Sequence, residues 1–276
     1  NQLNHPNEHV RTWAVRFLSE GNPPASRLAE LARNEASSLV RLAIASALQR
    51  LPVDQRADVA SGLLSHKKDA DDHNLPLMIW YGLTPLGDTN PMQLVKLAEA
   101  SEMPRVNRLI ARRLSENIEK HPEALDALVQ VAARKSDAFR TDIVQGITEG
   151  LRGWRSAPVP KHWSQLREAV KSSSSQPLKT MVRDLSLVFG DEAVITELKS
   201  VALNELAEVQ SRRDAVQTLV ANKPAGLEPF LREAVTNKVL AVAAARGLAV
   251  YDDPSAAERI IGFYPQLDAA DRPDVI

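Results

Sequence analysis

A nine-residue block recurs along this chain and limits its fold more than any other feature. It starts on an apolar residue often followed by Arg, carries apolar or small residues near its fourth and fifth places, and usually ends on a small or apolar pair. Val10 to Leu18 reads VRTWAVRFL and Val40 to Leu48 reads VRLAIASAL. Weaker copies follow at Leu75 to Leu83, Val106 to Leu114, Phe139 to Ile147, Leu178 to Ser186, Ser211 to Leu219 and Leu240 to Leu248, their starts stepping by 30, 35, 31, 33, 39, 33 and 29 residues. Such a period is too short for a domain. At a rise of about 1.5 Å per residue and helices of three to four turns, it fits a helix, a turn, a second helix and a connector.

The partner helices are expected between the blocks, roughly over 25–34, 55–64, 91–100, 122–134, 162–171, 192–203, 226–236 and 255–263. Leu125, Leu128, Val129 and Ala132 fall on one helical stripe. One hairpin cannot bury that stripe alone, so neighbours must stack. The fold expected is therefore all-α, an α-solenoid of about eight helical hairpins. Composition agrees: 44% of residues are apolar but only 4% aromatic, and Ala, Leu and Val suit closely packed helices. Most of the 17 prolines stand at the edges of apolar segments, where they occupy a first turn or stop a helix.

The rhythm breaks twice. SHKKDADDHNL, from Ser65 to Leu75, inserts a charged loop, and GWRSAPVPK, from Gly153 to Lys161, inserts a Pro-rich link that is followed by four serines at 172–175. A boundary is expected there, giving an N-terminal sub-stack over 1–152, a connecting region over 153–177 and a C-terminal sub-stack over 178–276. Beginning at Asn1 and ending in the polar stretch LDAADRPDVI, the chain is expected to be a piece of a larger protein.

Chemistry-bearing patterns are sparse. The chain has no Cys, which excludes disulfides, thiolate zinc sites, a cysteine nucleophile and covalent haem attachment. There is no Gly-rich phosphate loop, no Gly-x-Ser-x-Gly elbow and no His-Glu-x-x-His helix. An enzyme and a bound cofactor are not expected in this stretch. With 34 basic against 35 acidic side chains there is no global field to gather nucleic acid, and no apolar window reaches the length of a membrane span.

Five residues, His66, Asp69, Asp71, Asp72 and His73, mix imidazole and carboxylate ligands and form the one metal-site candidate. Their spacing follows no known ligand frame, and a loop this charged is ordinarily solvated. Asp72 or Asn74 capping a helix that starts near Leu75 accounts for part of it. His5 and His9 are explained in the same way, by Asn4 or Asn7 capping the first helix. Trp13 and Trp80 lie inside blocks and are expected in the core, whereas Trp154 and Trp163 flank the Pro-rich link and are candidate partner contacts. Arg105, Arg108, Arg112 and Arg113 form one basic cluster, and Arg152, Arg155, Lys161 and Arg167 another. Either could touch phosphates, but interspersed Glu102, Glu116, Glu119 and Glu168 favour salt-linked surfaces.

The Val-Arg-x-x-Ala-x-x-Ala-Leu form of the block resembles the second helix of HEAT repeats, whose small residues let neighbouring helices approach. HPNEHVRTWAVRFL, from His5 to Leu18, and DADDHNLPLMIWYGLTPL, from Asp69 to Leu86, are more particular. They resemble the helical-repeat region of large exported planctomycete-type bacterial proteins described as membrane-bound dehydrogenases. In that family a sugar-dehydrogenase-like β-propeller precedes the HEAT region and a c-type haem domain often follows. The resemblance implies an exported, periplasmic or cell-envelope location and a scaffold between those domains. None of that chemistry maps onto residues here.

The function expected is thus a non-catalytic scaffold or protein-interaction module whose partners are proteins or flanking domains of the same chain, without nucleic acid or membrane insertion. The alternative is a helical-repeat nucleic-acid binder of the HEAT-like DNA glycosylase type, which needs positive charge along one face.

Overall fold

All eight blocks coincide with helices in the computed structural model of the protein, which describes residues 2–21, 24–251, 254–267, 269 and 272–275. Asn1, and Asp268, Ala270, Asp271 and Ile276 of the polar tail, lie outside the described residues. The helices are α1 (Glu8–Leu18), α2 (Ala25–Asn34), α3 (Ser38–Ala47), α4 (Arg56–Leu64), α5 (Leu75–Leu83), α6 (Leu86–Thr89), α7 (Pro91–Ala100), α8 (Pro104–Glu116), α9 (Pro122–Arg134), α10 (Asp137–Gly150), α11 (Trp163–Lys171), α12 (Gln176–Val188), α13 (Glu192–Leu203), α14 (Val209–Asn222), α15 (Glu228–Ala234), α16 (Ala241–Leu248) and α17 (Pro254–Phe263). No strand occurs among the described residues. The architecture is an all-α helical repeat. The blocks fall on α1, α3, α5, α8, α10, α12, α14 and α16, and the partner helices are α2, α4, α7, α9, α11, α13, α15 and α17. The single-turn α6 is additional to that plan.

Local chemistry sets the helix starts. Asn7 accepts a hydrogen bond from the His9 backbone N–H at 2.8 Å, and Asp191 does the same for Ala193 at 3.1 Å, each relieving one orphan donor of a first turn. Pro91, Pro104 and Pro122 open α7, α8 and α9, where a missing N–H costs nothing.

The chain divides into two compact units, one of residues 1–152 and 160–181, the other of residues 153–159 and 182–276. The stretch expected as a connector over 153–177 is therefore shared out between the two. Residues 160–177 supply α11, which packs on α9 in the first unit, while in the second unit the Ala157 N–H donates to the Val188 carbonyl at 3.0 Å.

The first unit is two layers of helices. Block helices α1, α3, α5, α8 and α10 each pack on the next, and partner helices α2, α4, α7, α9 and α11 do likewise. First, fifth and ninth block positions form the buried stripe between the layers: Val40, Ile44 and Leu48, then Leu75, Ile79 and Leu83, then Val106, Ile110 and Leu114 are all at most 1% exposed. Spacing of four residues keeps each trio on one face. In the second unit Val194, Leu198, Val216, Leu219, Leu231 and Leu248 belong to one buried cluster.

The recurrent Arg at the second block position is structural. Arg41, fully buried, donates from Nη1 to the Glu35 carbonyl at the end of α2 at 2.7 Å. Arg140 donates to the Ala132 and Ala133 carbonyls in the last turn of α9, at 3.2 and 3.0 Å, and Arg212 to the Ala202 carbonyl in the last turn of α13, at 2.9 Å. Each guanidinium satisfies carbonyls that the preceding helix leaves orphaned and places a cation at its negative end. Arg11 holds the Glu35 carboxylate with two bonds of 2.9 and 2.8 Å. Burial alone would raise the Glu35 carboxyl, but hydrogen bonds from Arg11 and from the Ser37 N–H outweigh it and hold the group below its ordinary value.

Helices α8 and α10 approach closely. A Cβ on Gly146 would stand 2.2 Å from the Arg108 carbonyl oxygen, and one on Gly150 would stand 2.6 Å from that of Arg112. Two glycines one turn apart let the α10 backbone lie directly on α8.

Candidate interaction face

Once the first, fifth and ninth block positions are buried and the second is tied to the helix before it, the third, fourth and seventh share the opposite side of the helix. In the first unit these positions line two hollows. Trp13 and Arg16 of α1, Leu42 and Ser46 of α3 and Met78 of α5 border one of about 490 Å³. Leu77 of α5, with Arg108, Leu109 and Arg112 of α8, borders the other, of about 660 Å³, which Arg105, Glu149 and Arg152 complete. In the second unit Arg213 and Gln217 of α14 and Val242 and Arg246 of α16 border a hollow of about 510 Å³. Most of the hollow-lining residues of the block helices thus come from these three positions, although Thr12 and Ala43, third and fourth in their blocks, are buried.

Two features stand out on that face in the first unit. Trp13 is 55% exposed, with the Arg16 guanidinium 5.2 Å over its ring; Phe17, the eighth block residue and outside the hollow's lining, is 63% exposed and stacks on Trp13 from beside that face, centroids 5.6 Å apart. The second is the arginine row. Arg108 pairs with Glu149 across the two helices, and Arg112 pairs with Glu116 on its own helix at 2.9 Å. The Arg108 bond, helped by the Arg112 and Arg152 charges, holds the Glu149 carboxyl below its usual range, and the same bond raises the Arg108 guanidinium. Half-buried Asp142 goes the other way, pushed up to about 6 by loss of water, with only the Arg108 charge opposing.

Three of the five metal-site candidates, Asp69, His66 and Asp72, are engaged within the protein. Asp69 is 3% exposed and bound by both arms of Arg41, at 2.5 and 2.6 Å, so its oxygens are committed. The His66 ring nitrogen Nε2 lies 2.7 Å from the Ala32 carbonyl at the end of α2. Asp72 accepts from the backbone N–H groups of Asn74 and Leu75 at 2.8 and 2.7 Å, capping α5, and those bonds hold its carboxyl below the usual range. Asp71 and His73 are exposed. No group of three His, Asp or Glu in metal-holding arrangement occurs among the described residues.

The tryptophan expectations are partly reversed. Trp163, a candidate partner contact, is fully buried at the start of α11, while Trp13, expected in the core, is exposed. The cause is register: Trp13 occupies the open fourth block position, whereas Trp163 opens a partner helix on its core side. Trp80 and Trp154 are half-buried. Arg105, Arg108 and Arg112 are exposed on α8, and Arg152, which the sequence places in a different cluster, joins them in one hollow.

One pairing carries no local sequence signal. The His162 ring Nδ1 lies 2.9 Å from Asp126 Oδ2 across 36 residues, its backbone N–H donates to Asp126 Oδ1 at 2.8 Å, and the Gln130 amide lies 3.0 Å from its Nε2. An Asp–His pair can serve a nucleophile, but here the third member is an amide, which supplies none. The network fastens the start of α11 to α9. Compared with models of known families and with curated proteins, the chain matches none.

Proposed function

We propose that this chain is a non-catalytic helical-repeat scaffold that holds a protein, or flanking domains of its own polypeptide, on the face built from the third, fourth and seventh block positions. The observation carrying this reading is the exposed Trp13 under Arg16 on that face, with exposed Phe17 stacked against it from the adjoining eighth position. Large aromatics and arginine are the residues that dominate protein–protein hot spots, and exposing two stacked rings to water forgoes burial that a core position would supply. The likeness to HEAT regions of exported dehydrogenase-type proteins supports a role in orienting a propeller and a haem domain outside the cytoplasm.

The second reading, nucleic-acid binding, draws on the Arg105, Arg108, Arg112 and Arg152 row. Glu149 and Glu116 pair with two of those arginines, whereas a phosphate-binding face needs continuous positive charge. The test is a pull-down from envelope and cytoplasmic fractions using the full chain and its Trp13→Ala/Phe17→Ala variant as baits. A protein retained by the first and lost from the second supports the scaffold; salt-sensitive recovery of nucleic acid in its place refutes it.

A further inference from the structure

The hollow between α5, α8 and the end of α10 is built unlike the other two. Four arginines border it against one glutamate, with Leu77 and Leu109 as its apolar lining. Arg105, Arg108 and Arg112 follow one another at three- and four-residue spacing, so their guanidinium groups rise from one side of α8 as a row about 10 Å long. Only part of that charge is answered within the protein. Arg108 is engaged by Glu149 and Arg112 by Glu116, while Arg105 makes no side-chain hydrogen bond or ion pair among the described residues and Arg152 reaches Glu149 only through its charge. Lining up like charges on one helix face is unfavourable, and the close α8–α10 packing at Gly146 and Gly150 adds Arg152 to them.

Resting on the scaffold reading, we propose that this hollow takes an extended acidic peptide segment of the partner, with two carboxylates four residues apart, and so on one face of the extended chain, toward Arg105 and Arg112. An apolar side chain between them lies on Leu77 and Leu109. An extended chain advances about 3.3 Å per residue, so that spacing covers the row. Planar guanidinium forks match carboxylates in geometry as well as charge. Nucleic acid fits less well, because Glu149 borders the hollow among the arginines where a continuous phosphate backbone would run, and no aromatic ring borders it to stack a base. A peptide places its negative charges only where its side chains do and can leave Glu149 unopposed.

The test uses the full chain and a fluorescein-labelled decapeptide of glutamate pairs separated by leucines, read by fluorescence anisotropy, with a lysine-for-glutamate counterpart. Saturable binding of the acidic peptide alone is expected, weakening as salt rises from about 0.05 M to about 0.3 M. Arg105→Glu/Arg112→Glu should weaken it about tenfold or more, while exposed Lys120→Glu should not. Helix content by circular dichroism guards against unfolding, and Arg105→Gln/Arg112→Gln replaces the charge-reversed pair if that pair does not fold. Absence of saturable binding, equal binding by the double variant, or tighter groove-dependent binding of a thymidine oligonucleotide would overturn the proposal. A peptide failure alongside a partner still retained through Trp13 and Phe17 removes the groove assignment alone; loss of both removes the scaffold reading as well.

Discussion

The guanidinium of Arg41 and the carboxylate of Asp69 are joined by two hydrogen bonds, 2.5 and 2.6 Å long, with side chains only 1% and 4% exposed. Arg41 is the second residue of one block and Asp69 sits in the link before the next, so the pair fastens one repeat to its successor. Removing either partner strands the other charge in the interior, at a cost of about 3 to 5 kcal/mol. Asp69→Ala should lose that much in urea denaturation, and added zinc should not shift the melting temperature of the unaltered protein. A loss within about 0.5 kcal/mol, the range of ordinary surface changes, would show that the pair does not join the repeats.

Gly146→Ala should weaken the protein by about 1 to 3 kcal/mol, the range for overpacking a close contact, because its Cβ would meet the Arg108 backbone oxygen at 2.2 Å. Backbone cannot rotate away as a side chain can, so α8 and α10 must separate. Gly262, inside α17 with nothing within 4 Å of an added Cβ, provides the contrast. There alanine should add up to about 1 kcal/mol through helix propensity. Thermal melts of the two variants in opposite directions check both statements.

Asp142 makes stability depend on pH in a direction opposite to most carboxylates. Its folded pKa, about 6, lies above the unfolded value of about 3.9. Between the two the folded state holds the extra proton, so stability falls as pH rises through that window. Asp142→Asn should therefore be neutral near pH 4 and stabilising by about 1 kcal/mol near pH 7.5, a figure reduced for partial solvent screening. Denaturation of both proteins at the two pH values decides it.

Trp13 and Trp163 should behave oppositely in solution. Trp163→Ala empties a fully buried site and should cost about 3 to 5 kcal/mol, whereas Trp13→Ala should stay within about 0.5 kcal/mol. Iodide should quench fluorescence lost in the Trp13 variant and spare fluorescence lost in a Trp163→Phe variant.

The hairpin plan was legible because it rests on periodicity, which the chain carries in every copy of the block. Four of the partner spans, 25–34, 91–100, 122–134 and 192–203, coincide with α2, α7, α9 and α13 to the residue. The candidate site was legible only in part. Arg105, Arg108 and Arg112 are neighbours in sequence and on the helix surface alike, but Arg152 joins them through the tertiary approach of α10 to α8, which no local spacing records. Asp69 looked like a solvated loop residue because its partner, Arg41, lies 28 positions earlier. Trp13 is exposed although it lies inside a block, because only some block positions face the core.

The proposed partner-contacting face is made by the third, fourth and seventh block positions. Tyr81, seventh in its block on α5 and 53% exposed, can be replaced by photoreactive p-benzoylphenylalanine in the source cells, with Lys96 on partner helix α7 as the control position. A discrete protein adduct is expected from position 81 and none from position 96. An adduct from position 96 alone, a nucleic-acid adduct, or no adduct from position 81 would contradict it.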